Sequence, residues 1–548
     1  MREPGSTEPI GFFGRIGLIV PGALAPVAET ALLRTISPAN AALGPQVTAP
    51  PPLDVFHDLR WVSVFHNSWV TFGLELAAVL VLRSLWMAWV VQRAWPSETA
   101  APPEMGGAAR RAVLFYALAM VLFVPWVILL FGMAFSHLSF LFFAALPPAL
   151  AIAAILHRGA IARTTGRRIG WRPTWASVGW ILMSFVWLTL AGGVAGSGSL
   201  AMALLAAAVA GLLNARALYG VVQDVALGRS RRALPALTPA LVASVFAVAV
   251  GGSAIGFALA GHHARTSLGP LPSETPGQHP VLVAAGLHSH YDASSPLRLP
   301  NGYEGWRFSY RGLGPGRRPL PYGPSATEQS LSQSARLMAR QVHSLARAYG
   351  EPVTILAESE GAMVARTYLL RLYRPSSHDV DRLITLDMLP GESSVYFPPR
   401  GRQGWGVASG WGLRGLASLV GGIGPLRLSV DSGLGRDVTD CRASLSQLAS
   451  APPPPGVRQV SFESLADMVD PAASPPGVPI YLVPAPHGGL MGRLEVQDLI
   501  DGILGGLPSA NVPTRQSLLA RLVTAGARPW ETPSLPVTLD PVGVCVAA

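Results

Sequence analysis

The chain contains no lysine, so all 41 of its basic residues are arginine. Charge of either sign is sparse: 13% of the 548 residues are charged, about half the share usual in soluble domains. Cysteine is nearly absent as well. Cys441 and Cys545 both fall near the C-terminal end, with no C-x-x-C and no zinc-type spacing, which excludes a zinc ribbon or a redox dithiol. The hydrophobic half shows no internal repeat of the kind common in transporters. A net charge of +10 does not mark a nucleic-acid binder, because the informative arginines sit in short loops between hydrophobic runs. A lysine-free composition with 58 glycines and 50 prolines is that of a GC-rich bacterial genome and says little about mechanism.

What is present is apolar and unevenly spread. Six runs in the first 260 positions reach the roughly 20 residues needed to cross a bilayer: Ser68–Val91, Ala112–Phe135, Leu138–Leu156, Thr174–Val194, Ala201–Val222 and Ala236–Gly261. A seventh, Ile10–Leu33, is interrupted by Arg15, Pro21, Pro26 and Glu29. It reads as a broken span, an interfacial helix or a signal sequence. The expected N-terminal domain, residues 1–261, is therefore an all-α transmembrane bundle of six or seven helices.

Loop charge orients the bundle. The segments 92–111, 157–173 and 223–235 carry eleven arginines and lie on one side; the opposite connections, including 34–67, carry few. By the positive-inside rule the arginine-rich side is cytoplasmic. Everything after the sixth span is then extracytoplasmic, in a multi-pass protein of the bacterial cell membrane. Glu75 and Arg83 fall inside or at the edge of the first strong span. The expectation is that Arg83 snorkels to the inner interface and Glu75 pairs within the bundle.

A polar linker, residues 262–279, separates this half from a region of different periodicity, 280–548. Short apolar runs alternate there with amphipathic ones, the pattern of an α/β domain with a mostly parallel sheet. Strands are expected at 280–286, 305–310, 352–358, 382–388, 458–464 and 479–485. Helices are expected at 328–349, opened by a Ser325/Glu328 capping box, at 361–374 and at 494–504. Residues 390–456 form an insertion with Gly-Trp-Gly repeats, read either as a lid or membrane-contacting surface or as a disordered stretch.

The chemistry concentrates at Ala-Glu-Ser359-Glu-Gly, where a β-forming run meets a helical one. Such a turn holds its central residue in strain and exposes its hydroxyl, and small residues on either side let strand and helix pass closely. The helix N-terminus favours developing negative charge. The amide of Glu360 supplies one oxyanion donor, and the loop after Gly286 offers the amide of Leu287 or His288 as the second. His288 and His290 have no neighbouring set that completes a metal site, so neither a metal nor a cofactor is expected. His487, in the turn-prone PHGG, is the expected base; His343 and His378 are poorer candidates. The orienting acid is expected at Asp467, with Asp387 and Asp470 as rivals.

These pieces, with VLVAAGLHSHYD, FSYRGLG and LITLDM, make 280–505 resemble an α/β-hydrolase of the lipase/esterase type. The resemblance implies a Ser359–Asp467–His487 triad that cleaves an acyl ester, with membrane lipids and an ester or lipid substrate as partners. Alanine in place of the first glycine, at 357, and the acidic flanks Glu358 and Glu360 depart from the family pattern. An acyltransferase using the same triad is the first alternative; a non-catalytic α/β module on a transporter or sensor is the second. An extracytoplasmic domain also lets Cys441 and Cys545 pair as a disulfide that clamps the tail.

Overall fold

The computed structural model describes residues 10–97, 99, 101–136, 153, 156–157, 159–166, 175–227, 279–292, 299, 302–388, 393–423, 429–464, 475, 477–483, 490–491, 493–505 and 525–536. The runs expected to span at Leu138–Leu156 and Ala236–Gly261, and the linker, lie almost entirely outside these residues.

The N-terminal region is helical. It comprises α1 (Ile10–Ile36), α2 (Leu53–Val64), α3 (Trp69–Arg93), α4 (Met105–Ser136), α5 (Trp175–Ser197) and α6 (Leu200–Ala226). Among the described residues five helices are long and apolar enough to cross a membrane, on α1, α3, α4, α5 and α6. The weak N-terminal run is thus one continuous helix, with Pro21 and Pro26 inside it. Packing against α6 supports it: a Cβ on Gly22 would lie 2.9 Å from the Ala215 methyl group, the close approach that small residues permit between apolar helices.

The segment 34–67, expected as an outer connection, instead folds into the bundle. A 3₁₀ stretch, Pro38–Gln46, runs inward with Asn40 to Gln46 all buried. Farther along, Thr48 donates to the Gly22 carbonyl at 3.3 Å, and the Pro51 carbonyl lies 2.6 Å from Nδ1 of His157. Helix α2 then returns. Irregular backbone at membrane depth is tolerated only inside protein, and the surrounding helices provide that cover. Prolines and charges hide such a hairpin from a hydropathy reading.

Arg83 does not reach for the inner interface. Its guanidinium grips Asp58 of α2 with two 2.6 Å hydrogen bonds and donates to the Val47 carbonyl at 2.7 Å. Around this pair, His57 Nε2 stands 3.2 Å from Glu29, and the Tyr116 hydroxyl donates to Asp54 at 2.9 Å. Glu75 is half-buried and makes no ion pair among the described residues.

Among the described residues the second region is built on a six-stranded, fully parallel sheet in the order β2-β1-β3-β4-β5-β6. The strands are β1 (His279–Ala284), β2 (Tyr303–Arg307), β3 (Val353–Glu358), β4 (Val380–Leu386), β5 (Arg458–Ser464) and β6 (Ile480–Val483). Every residue of β3 is buried, as expected for a strand with helices on both faces. Helix α7 (Leu331–Tyr349) connects β2 to β3, and α8 (Glu360–Arg371) follows β3. The expected capping box is absent. Residues 324–328 form a 3₁₀ turn, and the cap of α7 is Ser330, whose hydroxyl accepts the Gln333 N–H at 3.2 Å.

The 390–456 insertion is helical among its described residues: α9 (Val407–Ile423), α10 (Gly433–Asp440) and α11 (Arg442–Ser450). The last helix, α12, spans Leu494–Leu504. Cys441 is disulfide-bonded; Cys545 lies outside the described residues.

Two contacts lock the regions together. Helix α9 packs on the end of α4 that is distant from Arg110 and Arg111, where Phe131, Phe397 and Leu413 share one cluster. Residues 527–535 thread back into the bundle. There Trp530 is 1% exposed, stacks on Phe185 of α5 at 4.7 Å and donates from Nε1 to the Thr189 hydroxyl at 2.8 Å. Arg60 of α2 holds the same segment by the Pro529 and Glu531 carbonyls, at 3.0 and 2.9 Å.

Candidate active site

Strand order dictates where a site forms. The chain runs from β1 outward to β2, then crosses back to place β3 on the other flank of β1. The reversal opens a crevice beyond the carboxyl ends of β1 and β3, the usual ligand position in a doubly wound sheet. Ser359 stands at the carboxyl end of β3 and the 285–289 loop at that of β1.

Strain concentrates there. Five non-glycine residues among those described have positive φ, and three of them follow neighbouring strands: His288 (61°), Ser359 (53°) and Asp387 (49°). Each such position costs about 1–3 kcal/mol and persists only where the surroundings impose it. For Ser359 they are visible. Its N–H donates to the Leu386 carbonyl at 2.8 Å, tying the turn to β4. A Cβ on Gly361 would sit 2.6 Å from the Ala284 carbonyl oxygen, and one on Gly286 would sit 2.8 Å from Ser359 Cβ. Glycine is therefore a steric requirement at both positions. Ala357 is fully buried and paired in register with Ala284 and Thr385, so the alanine in place of the usual glycine fits without strain.

The loop after β1 sorts the two expected oxyanion donors. The His288 N–H donates to the Thr327 hydroxyl at 2.9 Å, and its ring Nε2 lies 3.3 Å from Glu328. The N–H groups of Leu287 and Glu360 have no hydrogen-bond partner among the described residues. Behind the loop, the Tyr310 hydroxyl donates to the Ala285 carbonyl at 2.7 Å. Thr327 is a supporting residue with no local sequence signal, because 39 positions separate it from His288.

The two acidic flanks are both buried, Glu358 at 9% and Glu360 at 1% exposure. Neither carboxyl oxygen of Glu360 has a hydrogen-bond partner among the described residues. Burial, reinforced by the nearby Glu328 carboxylate, pushes the Glu360 carboxyl well above the usual carboxylate range. Burial thus favours the neutral acid over the charged form of Glu360 beside the serine, because an unpaired charge is costly in a dry site.

Asp387 is 1% exposed. One carboxylate oxygen accepts the Ser464 N–H at 2.8 Å, and its own N–H donates to the Phe462 carbonyl at 2.8 Å. It lies directly after the strand that holds the Ser359 amide. Asp467, Asp470 and His487 lie outside the described residues. Of the poorer histidines, His343 pairs with Asp379 at 3.1 Å on the α7 surface, and His378 sits in a left-handed turn before β4. Among the described residues no three His, Cys, Asp or Glu side chains gather as a metal site.

No protein-family model and no curated protein matches the chain. Solved structures similar to it include two forms of one lipase. A Bacillus licheniformis lipase, BlEst2 in its propeptide form, aligns at 13% identity and a TM-score of 0.30, over 45% of this chain and 54% of that one. The mature form aligns at 12% and 0.27, over 42% and 94%. The chain spans about half the length of the propeptide-form chain it matches.

Proposed function

We propose that the protein is a membrane-anchored serine hydrolase that cleaves an acyl ester. The observation that carries this reading is the strained Ser359, held at the strand-order switch point between a glycine that yields space and a helix N-terminus. Ser359 Oγ attacks the acyl carbon while His487 takes its proton. The Leu287 and Glu360 amides, unengaged among the described residues, receive the oxyanion. His487 then gives that proton to the departing alcohol as the ester C–O bond breaks; water, deprotonated by His487, attacks the acyl-enzyme, and the acid leaves as Ser359 recovers its proton.

Two carboxylates compete for the third place. Asp467 follows β5 and keeps the order expected from the family resemblance. Asp387 follows β4, and its burial and positive φ favour it. The Cys441 disulfide, with Cys545 as partner, would clamp the C-terminal tail. Docking supports the expected sidedness. The α/β region meets α3, α4 and α5 at the ends away from the arginine-rich loops, which the positive-inside rule assigns to the extracytoplasmic face.

One observation favours a second reading, in which the bundle itself binds or moves something and the α/β region serves it. Glu29, Asp54, His57, Asp58, Arg60 and Arg83 gather inside the helices, and ionisable groups there mark functional sites by default.

A membrane-impermeant fluorophosphonate applied to intact cells tests chemistry and side together. Labelling of wild-type protein that is absent from Ser359→Ala supports the reading. Labelling seen only after lysis would reverse the orientation, and no labelling of folded protein would remove the hydrolase and the acyltransferase alike.

A further inference from the structure

Helix α9 carries a single charged side chain in its 17 residues, and that charge is turned away from its open face. Arg414 is buried and grips Asp431 with two 2.7 Å hydrogen bonds. The open face, one stripe at helical spacing, presents Trp411, Gly415, Ser418 and Leu419. Trp411 is 38% and Leu419 66% exposed. An α/β enzyme exposed to water would place charge on such a stripe.

The depth of the helix supplies the reason. A Cβ on Gly412 would lie 2.6 Å from Ile128, and one on Gly132 would lie 2.9 Å from Leu413. Both α4 residues belong to the apolar stretch Met105–Gly132 that is long enough to cross a membrane. Ile128 and Gly132 sit eight and four residues short of the helix end at Ser136, about 12 and 6 Å inward at the α-helical rise. The shallower contact falls within, and the deeper one just beyond, the roughly 5–10 Å to which interfacial helices bury an apolar face. Val121 and Val124, one and two turns before Ile128 on the same face of α4, are likewise exposed.

The approach to the helix fits the same boundary. Arg400 and Arg402 are exposed in the turn before it, and the Arg400 guanidinium stands 5.8 Å from the Trp411 ring. Cations at headgroup level above an apolar face that begins with tryptophan match the chemistry of an anionic lipid surface. His66, between α2 and α3, fixes the start of α9. Its carbonyl accepts the Gly406 N–H and its Nε2 accepts the Ala408 N–H, each at 2.8 Å.

We propose that α9 lies in the membrane interface, its Trp411/Leu419 face among lipid acyl chains and Arg400 and Arg402 on lipid phosphates. The insertion is then an interfacial anchor that holds the α/β region against the leaflet. The proposal stands on the geometry of α4 and α9, independently of catalysis at Ser359.

The test uses the full chain in bilayers of phosphatidylcholine and phosphatidylglycerol. A nitroxide is attached at Leu419→Cys, and separately at Arg402→Cys, and its collisions with oxygen and with a water-soluble nickel chelate are measured. The label at 419 is expected to favour oxygen several-fold over the chelate, and the label at 402 to show the reverse. A label at 419 as open to the chelate as the one at 402 would overturn the proposal. So would a label shielded from both reagents, which indicates a second protein copy on this face. Ser418→Cys, on the same stripe, repeats the measurement if Leu419→Cys folds poorly. Fluorophosphonate labelling of the same samples reports the Ser359 reading separately.

Discussion

Gly286 and Ser359 pack so closely that a methyl group on the glycine would stand 2.8 Å from the serine Cβ. Real Cβ atoms do not approach so near, so Gly286→Ala must move either the oxyanion loop or the serine. Displacement of a reacting group by about 1 Å costs on the order of 100-fold in rate. Gly286→Ala is expected to slow fluorophosphonate labelling by about that factor while the far-UV circular dichroism stays unchanged. Labelling at the wild-type rate would show that the loop is not part of the site.

Glu360 gives a pH signature of opposite sign to that of an ordinary surface carboxylate. Its folded-state value is raised from 4.5, so above 4.5 the folded chain keeps a proton that the unfolded chain has released. Stability therefore falls as pH rises from 4.5 towards the raised value. Glu328, Tyr310 and Tyr322 are the titratable groups that face it. Glu360→Gln, which keeps the shape and cannot ionise, is expected to raise Tm more at pH 8 than at pH 5, and to extend labelling to higher pH. An equal Tm change at both values would contradict a neutral buried acid.

His66 links the two regions through a neutral ring. Its Nε2 accepts from Ala408, so the proton sits on Nδ1, 2.5 Å from the Val62 carbonyl. Burial lowers its pKa below the ordinary 6.5. Between those values the unfolded chain binds a proton that the folded chain refuses, so stability drops as pH falls below 6.5. Thermal unfolding of wild type and His66→Ala should converge as pH drops from about 7 to 5. A constant gap would mean that His66 does not titrate in this window.

The triad acid is a direct contest. Asparagine in place of the orienting aspartate lowers kcat by about 10,000-fold in a serine triad. Whichever of Asp467→Asn and Asp387→Asn shows that loss, with labelling slowed and folding kept, holds the position; the other is expected to change activity less than about tenfold on the same scale. Equal, small effects in both would place the acid elsewhere.

How much of this was legible depends on how local the cause is. The six strands and α12 were readable because each is a short apolar run bounded by turn residues, and β5 and α12 occupy the expected positions. The sharp turn at Ser359 was readable because its steric requirement, small residues at 357 and 361, lies within five positions. Gly286 and Asp387 were legible as strand ends, the second as a rival acid, but Thr327 acts on the site through loop closure across 39 positions and leaves no spacing in the chain. The inward hairpin 38–64 was hidden for a different reason. Its polar groups are satisfied by α1, α3, α4, α6 and the C-terminal segment, so its composition resembles an aqueous loop while its environment is protein.

The central claim is that Ser359 is a nucleophile. The measurement that tests it most directly is the labelling rate of purified full-length protein by a fluorophosphonate, wild type beside Ser359→Ala, with mass spectrometry of the labelled peptide. The account predicts one adduct, on Ser359, and none in the variant. An adduct on another residue, or equal labelling of both proteins, would contradict it.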